Sequence, residues 1–462
     1  MTSQTEKTHI RDFTQGNITR QLAVFAWPLF LSNLHQIVYN MVDMIIVGNK
    51  LGKVGISAVA VGGDVSNFLT FVAMGFSNAG QVIISQFIGA GQKRKVGAFT
   101  GTMFTFLLGF AVVLGGICLL FRQGILGLMN TPEAAWQEAL NYSTVCILGL
   151  VFIYGYNMVS AVLRGMGDSK HPFIFIGLAA VMNVVLDIVL VWGLKMGAMG
   201  AAIATVFSQG FSFVCCVVFL WRSRQEMGFE VSPDDFLHPK MEYLSPLVKL
   251  GIPMAIKSAA IHFSKLFVNS WINSYGVAVS AMAGIVNKLS SICNLISNSV
   301  NAAGSSMVGQ NVGAQKYERV PRIMLTCFAF TLCSASLMSL IIYLFPQAVF
   351  GIFTDEAAVM AIAMEFLPVS VVLFMGSACR SPMNALINGS GNHRVNFATA
   401  ILDGIVMRIG LSILLGVVLG MDYIGFWLGD ALAGYTPFFI GLVYYFSGSW
   451  KTRKYVIKEE KA

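Results

Sequence analysis

Long apolar segments alternate with short polar loops along the whole chain. Twelve segments are long enough for a bilayer, which takes about 20 apolar residues in a helix. They cover residues 18–45, 54–84, 97–121, 134–161, 171–193, 197–221, 245–272, 277–307, 321–345, 357–385, 394–419 and 423–447. This pattern predicts an all-α integral membrane protein with twelve transmembrane helices.

The composition agrees with a membrane protein. The 462 residues are 56% hydrophobic and only 11% charged, whereas soluble domains average about 25% charged residues. Residues 1–17 are polar and lack the apolar core of a signal peptide. We therefore expect the first apolar segment to remain in the protein as a spanning helix.

Lysine and arginine are divided unevenly between two sets of loops. Of the 30 basic residues, twenty-one lie in the two tails and in the loops after even-numbered spans. The opposite loops hold only Lys50, Lys53, Arg122 and Lys195. By the positive-inside rule, both termini are predicted to be cytoplasmic. The net charge of +8 therefore does not indicate nucleic-acid binding.

The chain repeats itself with an offset of 223–225 residues. Residues 86–96 (QFIGAGQKRKV) are similar to 310–320 (QNVGAQKYERV), and 161–172 are similar to 385–396. Each half holds six spans, so both halves enter the membrane from the same side. This is the signature of a parallel repeat about an axis along the membrane normal.

The repeat predicts two six-helix lobes joined by a polar linker. The N-terminal lobe is expected at 1–221, the cytoplasmic linker at 222–244 and the C-terminal lobe at 245–462. Two similar lobes around a central cleft suit alternating access, in which one lobe rocks against the other. A channel does not need this arrangement.

Two polar residues interrupt the fifth apolar segment, 181-VMNVVLDIVLVW-192. Asn183 and Asp187 are four apart and share one face of a helix. An ionised carboxylate is costly in hydrocarbon and usually faces a protein interior or a water-filled cavity. We interpret the pair as a functional site, or alternatively as hydrogen-bonding groups that hold helices together. Asp64 and Asn67 in the second span either line the cleft or form structural hydrogen bonds.

The spans of the second half carry mostly positive charge. Their basic side chains are Lys257, His262, Lys265, Lys288, Arg380 and Arg408. One interpretation is pairing within the lobe, for example of Asp403 with Lys265 or Arg408, because buried charges are normally paired. The other is that some of these cations line the cleft and bind an anionic or zwitterionic substrate.

Several other classes of function lack their sequence signatures. The eight cysteines form no CxxC pair, which argues against a zinc site or a disulfide framework. No P-loop motif is present, so ATP-driven transport is not supported. A membrane enzyme is disfavoured because there is no nucleophile motif and no cluster of histidines with acids. We expect no cofactor apart from a coupling ion.

The chain resembles the MATE (multidrug and toxic compound extrusion) transporters over essentially its whole length. The resemblance rests on the twelve repeated spans and on Q-x-x-G-A-x after the second span of each half. It also rests on L-R-G-x-G-D at 163–168 and on Pro28, fifteen residues before Asp43. It implies an antiporter that exports organic compounds in exchange for protons or sodium. It also implies a monomer in a bacterial or archaeal inner membrane, with small-molecule substrates and membrane lipid as partners and no nucleic acid.

The DinF-like branch of this family is the most similar. Its cation site uses an aspartate on span one, Asn and Asp four apart on span five, and a threonine on span six. The matching residues are Asp43, Asn183, Asp187 and Thr205. The NorM-like branch has carboxylates on spans seven and ten, where this chain lacks them at the expected places.

The implied site contains only oxygen ligands and one amide donor, which suits either sodium or a proton. Burial and a second carboxylate both favour the protonated form of an acid. Pro28 is either a moving hinge or a kink needed only for packing. A lipid-linked saccharide flippase of the same superfamily is the alternative transporter, although such proteins usually have more than twelve spans.

Overall fold

Helices form all the regular secondary structure in the parts of the chain that the computed structural model describes, residues 10–129, 131–230 and 232–452. The predicted all-α architecture is therefore confirmed. The orientation argument used Lys7, Arg453, Lys454, Lys458 and Lys461, which lie outside these ranges. The cytoplasmic placement of the termini stays a prediction.

The first two predicted spans form one helical stretch, Ile18–Gly89, with a break at Gly52. An unbroken helix of 72 residues would be roughly 108 Å long, several times the thickness of a bilayer core. Gly52 has φ 60° and ψ −148°, a conformation that only glycine adopts readily. The break therefore separates a first span (18–51) from a second span (53–89).

The remaining spans follow the predicted segments closely. In the first half, spans three to six are Lys93–Leu128, Glu133–Leu148 with Leu150–Gly165, Lys170–Gly193 and Gly197–Ser223. In the second half, spans seven to twelve are Met241–Asn273, Val277–Gly313, Tyr317–Leu344, Ala357–Gly389, His393–Val418 and Asp422–Phe446. The two helices of span four meet at a 48° bend. Short helices lie at Pro233–Leu237 and Pro346–Gly351.

The repeat is also visible in the backbone. Five residues with positive φ recur in the second half at the spacing of the sequence repeat. The pairs are Gly52 with Gly276, Gly91 with Gln315, Gly167 with Gly391, Lys195 with Gly420, and Gly197 with Asp422. The loops of the two halves therefore turn in the same way, even where one half has no glycine.

The chain divides into two compact units whose limits differ from the predicted lobes. The first unit contains the residues up to Asp12 and Leu31–Gly251, and the second contains Phe13–Phe30 and Ile252–Ala462. The start of the first span belongs to the second unit because its apolar side chains pack there. Phe13 and Phe25 are fully buried in one core cluster with Trp450.

The predicted linker, 222–244, is part of the first unit because it packs on span three. The Thr105 hydroxyl donates a hydrogen bond to the Phe236 carbonyl over 2.5 Å. The backbone N–H of Lys240 donates to Thr102 Oγ1 over 3.3 Å. These contacts attach the linker to the first unit.

Spans eleven and twelve are packed backbone against backbone. A Cβ built on Gly429 would lie 2.5 Å from the backbone of Ser412, and one on Gly425 would lie 2.6 Å from that of Leu415. Small residues allow such close approach between membrane helices. This contact fixes the part of span twelve that carries Asp430.

We predict that Gly429→Ala destabilises the protein, because the added methyl group meets backbone that cannot turn aside. Overpacking of this kind costs about 1–3 kcal/mol. The readout is the apparent Tm of the purified protein in detergent. Gly284→Ala is the matched control, since a Cβ there meets nothing within 4 Å. An unchanged Tm in Gly429→Ala would contradict the close packing.

Candidate functional site

Four polar side chains from three spans meet inside the first unit. Asp43 comes from span one, Asn183 and Asp187 from span five, and Thr205 from span six. The amide of Asn183 donates to Thr205 Oγ1 over 3.4 Å, and this hydroxyl donates to Asp43 Oδ2 over 3.5 Å. We call these four residues the acidic cluster. The structure thus brings together all four residues that the family resemblance implied.

Span five turns its polar pair inward. Its buried α-helical residues are Pro172, Ile176, Ala179, Asn183 and Asp187, one stripe with helical spacing. The intervening side chains, such as Val181 and Val185, are exposed. A π-helical segment, Ile188–Gly193, begins directly after Asp187. Such segments are frequent at functional sites.

The acidic cluster contains buried oxygen atoms without hydrogen-bond donors. Asp43, Asn183 and Asp187 are 4%, 2% and 0% exposed. Among the described residues, no partner donates to Asp43 Oδ1, Asn183 Oδ1 or either carboxylate oxygen of Asp187. The two carboxyl groups are close enough to interact directly. Buried oxygens without donors are costly, and a bound cation or a shared proton would satisfy them.

Two tyrosines beside the cluster were not predicted from the sequence. Tyr39 and Tyr142 are both buried, and both interact electrostatically with Asp43. Tyr39 lies one helical turn before Asp43, so helical spacing alone could have identified it. Tyr142 comes from span four, and only the tertiary fold brings it here.

Other predicted residues of the first spans lie elsewhere. The side chains of Asp64 and Asn67 are exposed, and their role in lining a cleft stays a prediction. Pro28 lies within the first span, close to the point where the helix passes from the second unit to the first.

The second unit contains a cluster of mixed charge. Arg408 forms ion pairs with Asp403, at 3.0 Å from Nη2 to Oδ1, and with Asp430 through Nη1. Arg408 is 2% exposed and Asp403 is fully buried. Of the two partners considered for Asp403, Lys265 and Arg408, the ion pair is therefore with Arg408.

Three further cations lie near this ion pair. Lys257 Nζ donates to Asn384 Oδ1 over 2.6 Å, and Arg380 Nη2 donates to Asn294 Oδ1 over 2.7 Å. Lys265 is close enough to interact electrostatically with Asp430, Arg408, Arg380 and Asp403. We call the four cations, Lys257, Lys265, Arg380 and Arg408, together with Asp403 and Asp430, the basic cluster.

The other predicted cations of this half, His262 and Lys288, have exposed side chains. The partners Asn294 and Asn384 were not predicted, because asparagine within a membrane helix has no distinctive spacing. They became evident only from their contacts with Arg380 and Lys257.

Comparison with known proteins identifies the family. A model of the MatE family matches residues 28–189 and 253–422, which is more than half of the chain. The chain belongs to the MatE family. It is thus a multidrug and toxin extrusion transporter and a multi-pass membrane protein. Members of this family bind small-molecule substrates. The two matched segments correspond to the two halves of the repeat.

Individual relatives cover nearly all of this MatE protein. The probable multidrug resistance protein YpnP of Bacillus subtilis is 28% identical over 96% of this chain and 98% of its own length. A crystal structure of MATE in the straight conformation has a TM-score of 0.85 at 20% identity, covering 95% of this chain and 97% of that one.

A second solved structure comes from Pyrococcus furiosus, a MOP superfamily transporter described as having a binding pocket of reverse polarity. Its TM-score is 0.86 at 21% identity, covering 97% of this chain and 99% of that one. At this level of identity, both solved structures support the fold alone. The predicted twelve-span, two-lobe MATE architecture agrees with them.

We predict different stability effects for substitutions of two buried aspartates on repeat-related spans. Asp403→Asn leaves Arg408 with one carboxylate instead of two, and breaking a buried pair costs on the order of 3 kcal/mol. Asp187→Asn removes a carboxylate that has no cation partner in the described residues, so stability should be unchanged or raised. Apparent Tm values of the two purified variants at neutral pH test this. Equal losses would mean that Asp187 is a structural residue.

Proposed function

We propose that this transporter is a secondary antiporter that exports organic compounds in exchange for protons or sodium ions bound at the acidic cluster. The carrying observation is the set of four buried oxygen atoms in Asp43, Asn183 and Asp187 to which no described residue donates a hydrogen bond. The same observation supports assignment to the DinF-like branch, since its coupling residues are expected in the N-terminal lobe. The bacterial relative supports a bacterial cytoplasmic membrane, and the loop charges support cytoplasmic termini.

The chemistry of the cluster suits both ions. Carboxylate, amide and hydroxyl oxygens are the ligands that hard cations prefer, so sodium would be held by Asp43, Asn183, Asp187 and Thr205. A proton would instead be shared by the two carboxyl groups, and its titration would belong to the pair. Either ion removes negative charge from the buried site. Since both satisfy the same oxygens, they would compete for one site.

Ion binding drives transport only if the ion prefers one conformation of the protein. Asp43 lies on the span that contains Pro28, where the missing backbone hydrogen bond makes a bend less costly. When the carboxylates are neutralised, the first span changes its bend at Pro28, and the transporter releases its substrate outward. The transporter would thus bind substrate and ion in turn, as one lobe moves against the other.

We expect Asp187→Asn and Asp43→Asn to abolish gradient-driven transport while leaving expression normal. The reason is that an amide cannot exchange a proton and binds sodium more weakly than a carboxylate does. Uptake of a fluorescent organic dye into proteoliposomes is measured with a proton gradient or a sodium gradient imposed separately. The gradient that drives uptake by the wild-type protein identifies the coupling ion.

The matched control is Glu133→Gln, which neutralises an exposed acid at the start of span four. It should transport like the wild type. Full gradient-driven transport by both aspartate variants would refute the assignment of the acidic cluster.

For the hinge, we predict that Pro28→Ala slows transport while the ion site is retained, because a straight helix would favour one conformation. Initial transport rates and sodium or proton affinity are measured on the same preparation. Pro253→Ala changes the repeat-related proline of span seven and serves as the control. If both variants transport at the wild-type rate, Pro28 is a packing kink.

A further inference from the structure

The basic cluster carries more positive charge than its own acids can balance. It contains four cations and two carboxylates, and both carboxylates pair with Arg408. Among the described residues, Lys257, Lys265 and Arg380 form no ion pair within 4 Å. All three lie within long apolar helices that qualify as membrane spans. Charges in such helices are expensive unless a partner compensates them.

The contacts of these cations orient them without neutralising them. Lys257 and Arg380 donate to the amide oxygens of Asn384 and Asn294, which are neutral. Each cation keeps further N–H donors, because an ammonium has three and a guanidinium has five. The side chains are only partly buried, whereas Asp403 and Arg408 are fully enclosed. Asp430 is also partly exposed, at 18%, but it pairs with Arg408. The accessible charges of the cluster that have no ion-pair partner among the described residues are therefore cationic.

The internal repeat places different residues at the positions of the acidic cluster in this half. With the offset of the loop pair Gly197 and Asp422, Asn183 corresponds to Arg408 and Thr205 corresponds to Asp430. In the second half, two positions of the acidic cluster are thus filled by Arg408 and Asp430, which pair with each other. By the same offset, Asp187 corresponds to Ser412, so the carboxylate is absent.

We propose that Lys257, Lys265 and Arg380 bind the carboxylate or phosphate group of an anionic or zwitterionic organic substrate. The guanidinium of Arg380 offers two parallel donors to such a group. The lysines lie eight residues apart on one face of span seven and supply the balancing charge. This inference deepens the proposed function, since the ligand would be the exported compound.

A pair of dyes with one ring system and opposite charge tests the substrate class. Carboxyfluorescein is an anion and a rhodamine ester is a cation, and binding of each to purified protein in non-ionic detergent is followed by fluorescence polarisation. We expect carboxyfluorescein to bind more tightly. Lys257→Gln and Arg380→Gln should each weaken its binding roughly tenfold or more, because each removes a charge-assisted hydrogen bond.

Lys249→Gln removes an exposed lysine of the same helix and should bind both dyes like the wild type. Lys257→Arg keeps the charge and should retain most of the affinity, which separates loss of charge from loss of fold. This binding assay uses no ion gradient, so it reports on the basic cluster separately from gradient-driven transport through the acidic cluster. Failure of ion coupling and failure of anion binding are therefore distinguishable.

Three results would overturn the proposal. The first is preferred binding of the rhodamine ester, and the second is equal carboxyfluorescein binding by the wild type and both glutamine variants. The third is that these cations bind only a lipid headgroup and no organic anion. In that case, nanodisc-embedded protein would lose binding of phosphatidylglycerol in the variants but would never bind carboxyfluorescein.

Discussion

The cost of burying charge among apolar helices is the constraint on which the interior of this transporter depends. An ionised group removed from water needs a counter-charge, a set of hydrogen bonds or a ligand. The second unit meets this need partly by itself, since Arg408 neutralises Asp403 and Asp430. The first unit does not, because the oxygens of Asp187 have no donor in the described residues. We regard this difference as the basis of ion coupling.

Duplication explains how one fold can hold two clusters of opposite charge. The loops of both halves keep the same backbone turns, so the framework has been retained while side chains at related positions changed. Neutral residues such as Asn183 and Thr205 leave room for a mobile cation. Arg408 and Asp430 form an ion pair at the corresponding positions. Because Asp430 pairs with Arg408, the neighbouring lysines are available to bind a ligand. On this account, the ion and the substrate act on separate halves.

The sequence predicts most of the fold because an apolar run of sufficient length is enough to identify a membrane helix. The spacing of Asn183 and Asp187 likewise indicates a shared buried face. Three features could not be predicted, since they depend on contacts between distant residues. Phe13 and Phe25 place the first turns of span one in the second unit, the Phe236 segment binds span three, and Tyr142 lies beside Asp43. No local pattern encodes such contacts.

Infrared difference spectroscopy of the purified protein tests the central claim most directly, because it observes the protonation of the carboxyl groups themselves. On our account, a carboxylic acid C=O band from the Asp43–Asp187 pair is present at mildly acidic pH. It should disappear when the pH is raised or when sodium is added, and it should be missing in the Asp43→Asn, Asp187→Asn double variant. If the spectra of the wild type and the double variant responded identically to pH and sodium, the acidic cluster would not be the coupling site.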